Sequence, residues 1–306
     1  MTEYKLQKPF LKWVGGKSQI INDIISRIPR QINNYHEIFL GGGSVLLAVL
    51  SLKKQNKIQI HNKIYAYDLN SGLINTFQQI KNNCTEVITH IKLIIEEFSE
   101  ITVNTFGQKG QPKNINDKTY NTTREHYYYW IRDKYNANQK NTPLSAAYFI
   151  FLNKTGFRGM YRESSSSIYN VPYGLKDRNT IPAVINEDDI RNISILIQEV
   201  EFKCQDFNKS LLSVIDGDFV YIDPPYAPKN STSFVKYLRD GFDPETHELL
   251  FDKIKKLENI KFVMSNAKVN LVTDNFKEYN CIDITARRAI NSKNPGSTAT
   301  EVIIYN

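Results

Sequence analysis

Phe219-Val220-Tyr221-Ile222-Asp223-Pro224-Pro225-Tyr226 is the stretch on which the reading of this 306-residue chain turns. Its β-branched and aromatic run predicts a buried strand, and two prolines end that strand by removing backbone donors and fixing φ. An acid, a stiff carbonyl-presenting turn and a ring therefore arrive together at one sheet edge. In open α/β sheets the C-terminal edge of the strands is where ligands bind. Asp223, Pro224, Pro225 and Tyr226 are accordingly the candidate catalytic group, although a plain turn after a strand can carry the same residues.

Upstream, Tyr35 to Phe39 reads as a first strand, followed by Gly41-Gly42-Gly43 and an apolar helix from Ser44 through Leu52. Strand, glycine turn and helix form a dinucleotide-type arrangement, but Leu46 stands where the third glycine of G-x-G-x-x-G belongs. A pyrophosphate is not the obvious guest. The glycines still let the backbone approach a ligand closely. Lys63 to Asp68 is the second strand, and an acid at its tip is placed to accept from ribose hydroxyls. Asp68 could instead cap the helix expected from Leu69 to Gln79. Gly16-Lys17-Ser18 invites a P-loop reading, which Leu11 defeats by occupying the required glycine position. The isoleucines from Ile20 to Ile28 share one helical face that stops at Pro29.

Composition narrows the class. Lys and Arg number 39 against 32 Asp and Glu, a net charge of +7 that suits a polyanion but also ordinary solvated lysines. The hydrophobic fraction is 41%, and no apolar run approaches the roughly 18 residues of a membrane span, so a soluble protein is expected. Residues 1–10 lack a signal-peptide core. Cys84, Cys204 and Cys281 are scattered without a C-x-x-C pair, which argues against disulfides and zinc and for a reducing, cytoplasmic setting.

The character changes between Glu86 and Pro182. Thr102 to Asn121 is polar and glycine-containing, a loop by composition. Thr123 to Tyr135 interleaves Tyr127, Tyr128, Tyr129 and Trp130 with Arg124, Arg132 and Lys134, a pattern that fits nucleic acid but more often marks core. After the apolar helix Pro143 to Leu152, two short alternating runs flank Ser164 to Ser167 and predict a β-hairpin, with a plain loop as the alternative. Beyond Pro182 the α/β pattern resumes, with strands at Glu199 to Cys204, Lys261 to Met264, Cys281 to Thr285 and Ala299 to Ile304. A basic loop from Arg287 to Gly296 joins the last two.

Asp-Pro-Pro-Tyr at Asp223 to Tyr226, Lys12-Trp13-Val14-Gly15-Gly16-Lys17 and Phe39-Leu40-Gly41-Gly42-Gly43-Ser44 together resemble the Dam/DpnM-type (D12 class) DNA adenine-N6 methyltransferases. The resemblance runs from about Pro9 to Tyr305. It implies an α/β, Rossmann-like S-adenosylmethionine-dependent methyltransferase fold, with an inserted, mostly helical target-recognition domain carrying a β-hairpin. On that reading residues 1–75 and 183–306 form the catalytic domain and 76–182 the insertion. The resemblance also assigns Trp13, Lys17, Phe39, Gly41, Gly43, Asp68, Asp206, Phe207 and Asp223 to the S-adenosyl-L-methionine site. Arg158, Tyr161, Arg162, Asn170 and Lys293 are assigned to double-stranded DNA. Gly159-Met160-Tyr161-Arg162 falls on the family's Gly-Leu-Tyr-Arg segment, which implies a target of GATC or a close relative. Ser164 and Arg158 depart from the family pattern and bear on that exact sequence.

The implied chemistry is methyl transfer to the exocyclic amine of a flipped-out adenine, without metal or covalent cysteine. Asp223 and the Pro224 carbonyl would accept from the two N–H bonds, and Tyr226 would stack on the base. Methylation of RNA or of a protein glutamine uses related four-residue motifs, and a nucleic-acid-binding protein without catalysis is a third reading. Intact Asp68, Asp223 and Tyr226 count against the last.

Overall fold

The computed structural model describes residues 5–102, 123–175, 183–227, 242–287 and 298–306. Its chain divides into a first unit of Met1–Lys8, Lys17–Leu69 and Glu199–Asn306 and a second of Pro9–Gly16 and Asn70–Gln198. In chain order the first unit contributes α1 (Ile21–Ile25), β1 (Gln31–Ile32), β2 (Tyr35–Glu37), α2 (Ser44–Lys54), β3 (Gln59–Ile60) and β4 (Ile64–Asp68). The second follows with α3 (Ser71–Asn82), α4 (Cys84–Glu100), α5 (Arg124–Ala137), α6 (Pro143–Thr155) and α7 (Glu187–Leu196). The first resumes with β5 (Val200–Cys204), α8 (Phe207–Leu211), β6 (Phe219–Ile222), α9 (Pro244–Lys255), β7 (Lys261–Ala267), α10 (Asn270–Thr273), β8 (Asn280–Arg287) and β9 (Thr298–Tyr305).

Seven strands of the first unit form one sheet in the order β5-β4-β2-β6-β7-β9-β8. The first five are parallel, and β9 runs antiparallel between β7 and β8. Successive parallel strands extend one way from β2 to β4 and β5, then the other way to β6 and β7. The order reverses between β2 and β6, so the crevice beyond these strand ends is the place where such sheets bind ligands. Val220, Ile222, Phe262, Met264, Val302 and Ile304 share a core with residues of α8, α9 and α10 on one face. Tyr35, Glu37 and Tyr221 are buried on the other. Burial on both faces is why these strands read as continuous apolar runs and not as alternation. Gln31 to Ile32 and Gln59 to Ile60 form a separate short parallel pair.

The second unit is helical. Ala146 to Leu152 of α6 are all buried, and α6 packs against α3, α4 and α5. Phe98 and Tyr127 meet Phe151 edge-on at 5.3 and 6.0 Å between centroids. Asn70, Thr123, Thr142 and Asn186 cap α3, α5, α6 and α7 with side-chain oxygens, each worth about 1 kcal/mol.

Three expectations change and one holds. The unit is wider than 76–182, because α3 and α7 pack with its own helices and Pro9–Gly16 joins it. The helix expected over Ser18 to Ile28 is a 3-10 turn at Lys17–Gln19 followed by the five-residue α1, since Ile20 is non-helical and the end tightens to i→i+3 bonds before Pro29. The core reading of Thr123 to Tyr135 holds: Arg124 and Arg132 are buried, Arg132 over the Tyr129 ring at 4.7 Å. The hairpin is two isolated antiparallel bridges, Gly156 to Tyr173 and Glu163 to Tyr169, without a ladder. Left-handed Arg158 and Gly159, at φ 57° and 64°, kink its outgoing arm. A Cβ on Gly174 would lie 2.5 Å from the Gly156 carbonyl oxygen, so only glycine lets the arms close there.

Candidate active site

Proline at 224 and 225 ends β6 and leaves Asp223 at its C-terminal edge, on the same face as Tyr221 and Glu37, which are direct neighbours in register. Asp223 Oδ2 lies 2.6 Å from Lys17 Nζ, and the Lys17 side chain is buried. Asp223 Oδ1 is buried and has no hydrogen-bond partner among the described residues. Burial pushes the Asp223 carboxyl up to about 6, against the opposing pull of the Lys17 charge and hydrogen bond.

Glu37 lies fully buried near this acid, and the Tyr35 hydroxyl donates to its Oε2 at 2.6 Å. Burial raises its carboxyl to about 8; the Tyr35 bond opposes this and the Asp223 charge adds to it. The Tyr226 hydroxyl donates to Glu301 Oε2 at 2.8 Å, and Lys17 Nζ sits 4.9 Å from the Tyr226 ring centroid. Burial, with Asp223 and Glu301 adding, pushes that hydroxyl far up, so it serves as a donor. Both ends of the ring are thereby fixed, one by the chain at Pro225 and one by β9.

The glycine turn follows β2 closely. Gly41 and Gly43 take φ of 50° and 72°, conformations that favour glycine, and Gly43 starts α2. The Gly41 N–H donates to Asp68 Oδ2 at 3.0 Å. Asn70 Oδ1, not Asp68, accepts from Leu73 N–H and caps α3, so the capping alternative for Asp68 does not hold. Asp206 caps α8 by accepting from Asn208 N–H at 2.7 Å, and Phe207 lies 6.0 Å from Phe39 between centroids. Phe242 packs 5.6 Å from both rings. A carboxylate oriented by the turn matches a ribose diol, and paired rings match a purine face. These residues therefore fit an adenosyl cofactor.

Lys17, Phe39, Gly41, Gly43, Asp68, Asp206, Phe207 and Asp223 to Tyr226 all belong to the first unit. Trp13 belongs to the second, stacked at 26° on Phe149 and on Tyr161, with centroids 6.4 and 6.0 Å away. In the same unit Arg162 donates from Nε to Asn170 Oδ1 at 2.6 Å and from Nη2 to the Asn170 carbonyl at 3.1 Å. Tyr161 donates to Glu163, and Arg158 is exposed beside the Phe157 ring at 5.1 Å. The tip is ordered by Ser164 Oγ, which accepts from the Ser166 and Ile168 N–H groups. Lys293 lies outside the described residues.

Glu37 and Glu301 escaped the sequence reading. An acid inside the apolar Tyr35 to Phe39 run was the available signal for Glu37. Glu301 offered none locally.

Residues 13–290 match the family model described as D12 class N6 adenine-specific DNA methyltransferase. The chain is 32% identical over 297 residues to the type II methyltransferase M.MjaIII of Methanocaldococcus jannaschii, covering 94% of this chain and 93% of that protein. It is 30% identical over 308 residues to the type II methyltransferase M1.LlaDCHI of Lactococcus lactis subsp. cremoris, covering 98% and 95%. It is 29% identical over 292 residues to the DNA adenine methylase of Haemophilus influenzae, covering 94% and 89%. With the acid, the prolines and the ring at the edge of β6, these matches settle the family: the chain belongs to the D12 class of N6 adenine-specific DNA methyltransferases.

Proposed function

We propose that this DNA adenine-N6 methyltransferase acts on an adenine flipped out of duplex DNA, within GATC or a closely related short site, and that Asp223 to Tyr226 receive the base. The buried, unpartnered Oδ1 of Asp223 carries the reading. A buried carboxylate oxygen left without a donor costs free energy unless a ligand supplies one. An exocyclic amine supplies it.

Members of this family take the methyl group from S-adenosylmethionine, whose sulfonium supplies an electrophilic carbon. The protein's task is to make a weak nucleophile available. The adenine amino lone pair is delocalised into the ring, and acceptors aimed at both N–H bonds favour the pyramidal form that frees it. Asp223 Oδ1 accepts a hydrogen bond from one N–H and the Pro224 carbonyl accepts one from the other. Lys17 holds Oδ2, which keeps Asp223 ionised and its second oxygen directed. Tyr226, fixed by Glu301, presents its ring for stacking. Asp68 and Asp206 hold the cofactor's ribose and adenine, and Phe39 and Phe207 cover the purine. Flipping costs a few kcal/mol, offset by stacking in the pocket.

In the second unit, Arg162 reads a guanine, and Arg158, Tyr161 and Asn170 contribute to the DNA surface. Asn170 occupies the Nε edge of the guanidinium, so the end-on N–H pair of Nη1 and Nη2 is the edge offered to guanine O6 and N7. Residues 70–198 with 9–16 are the target-recognition domain, and the first unit is the Rossmann-like catalytic domain.

The test is transfer of labelled methyl to a panel of duplexes, with the modified base identified. N6-methyladenine in GATC-type sites is expected. Asp223→Ala should abolish transfer while calorimetry still records cofactor binding; near-normal turnover of that variant would remove Asp223 from the chemistry.

A further inference from the structure

The turn that follows β6 is held from below by two buried polar side chains on different elements. His247 of α9 is fully buried, with Nε2 3.0 Å from the Pro225 carbonyl and Nδ1 2.9 Å from the Asp243 carbonyl. Asn266 of β7 accepts at Oδ1 from the N–H groups of Ala227, at 3.1 Å, and Ala267, at 2.8 Å. The two anchors bracket Tyr226.

The two carbonyls facing His247 differ in what they need. Asp243 already receives the backbone N–H of His247 at 3.0 Å, as the first bond of α9. Among the described residues, the Pro225 carbonyl has no donor except the ring. The tautomer with hydrogen on Nε2 therefore makes the bond that nothing else makes. The same ring packs edge-on against Phe242 at 4.7 Å, and Phe242 touches Phe39 and Phe207. His247 thus joins the aromatic cluster behind the glycine turn to the backbone that carries Tyr226.

We propose that His247 is a positioning residue for methyl transfer, fixing the Asp223 to Tyr226 turn through a hydrogen bond from Nε2 to the Pro225 carbonyl. This rests on the reading that Asp223 to Tyr226 receive the target base. Proline fixes φ at 224 and 225, and Pro224, standing before a proline, is held extended, but the ψ of Pro225 stays free, so a donor on the Pro225 carbonyl helps set the direction of the following ring together with Asn266 and Glu301. A misplacement of about 1 Å can cost on the order of a hundredfold in rate.

Two polar substitutions separate this from a general packing role. The amide nitrogen of His247→Gln superposes on Nε2 and reaches Pro225, whereas that of His247→Asn superposes on Nδ1 and reaches only Asp243. For His247→Gln, kcat on a duplex is expected within about threefold of wild type, and for His247→Asn a fall of roughly tenfold or more, given the geometric sensitivity of such steps. Cofactor dissociation constants by calorimetry should stay alike in both. Equal kcat in the two variants, or a loss confined to cofactor binding, overturns the proposal. Nitrogen-15 NMR of the wild-type imidazole decides independently of whether either variant folds: hydrogen on Nε2 supports the proposal, and hydrogen on Nδ1 alone overturns it. Asp223→Ala measured alongside keeps the two readings apart. If it retains turnover, the site assignment fails; if it is inactive while His247→Asn matches His247→Gln, only the role of His247 fails.

Discussion

Lys17 Nζ sits 2.6 Å from one oxygen of Asp223 while the other oxygen is buried without a partner among the described residues. The pair divides the carboxylate into a held half and an offered half. Only the ionised acid can accept from an amine in this way, and burial raises its pKa to about 6 against the pull of Lys17. The value of kcat/KM should therefore climb as pH rises toward about 6 and level off above it, because the deprotonated free enzyme is the active form. Lys17→Ala removes the charge that favours ionisation, so the limb should move to higher pH. A limb that stays in place or moves down in this variant would show that the pair does not persist in the working enzyme.

Glu37 supplies a stability signature of opposite use. Its folded pKa, about 8, lies above the ordinary carboxylate value of 4.5, with burial as the largest cause. The folded state thus holds a proton that the unfolded chain releases, so this contribution is complete below the unfolded value and is lost as pH rises through the folded one. Within that window the loss is about 1.4 kcal/mol per pH unit at most. Glu37→Gln keeps an acceptor for the Tyr35 hydroxyl and cannot ionise. Relative to wild type the variant should gain a few kcal/mol between pH 5 and pH 8. Denaturant melts at the two pH values check this, and a pH-independent difference would mean that Glu37 does not titrate there.

Asp68 is oriented by the Gly41 N–H and does not cap α3. Its replacement by alanine should weaken cofactor binding by roughly 1–3 kcal/mol, the loss of a charged hydrogen-bond acceptor. Helix content and melting temperature should change little. Calorimetry that returns an unchanged dissociation constant would confine Asp68 to holding the glycine turn.

The sequence disclosed those parts of this site that local chemistry dictates. Buried parallel strands demand unbroken β-branched and aromatic runs, and ligand-facing turns demand glycine or proline, so Phe219 to Tyr226, Phe39 to Gly43 and Lys63 to Asp68 were readable as they stand. Partners distant in the chain were not. Glu301 reaches Tyr226 only because β9 lies antiparallel beside β7. His247 looks like one polar position on an amphipathic helix until the sheet places α9 under the proline turn. Arg132 sits in a pattern that reads both ways, a basic residue among aromatics that would also suit a DNA surface, and it lies buried over Tyr129 in the core role that such spacing more often marks. The irregular hairpin was hidden because the contact of Gly156 with Gly174 depends on where α6 ends.

Arg162 offers the sharpest test of specificity. Two hydrogen bonds to Asn170 fix its guanidinium on the Nε edge, which limits its freedom before DNA arrives and leaves the end-on edge for a base. A two-bond contact to guanine discriminates against the wrong base pair by about 1–3 kcal/mol. Arg162→Ala should relax preference at one base pair of the target while activity on other positions keeps its pattern. Asn170→Ala should loosen the same guanidinium and relax the same base pair to a smaller degree, whereas Lys293→Ala should weaken all duplexes alike. Methylation rates on duplexes substituted one base pair at a time separate these outcomes. If Arg162→Ala lowers the rate equally on every sequence, the arginine grips the backbone or braces the hairpin, and guanine is read elsewhere.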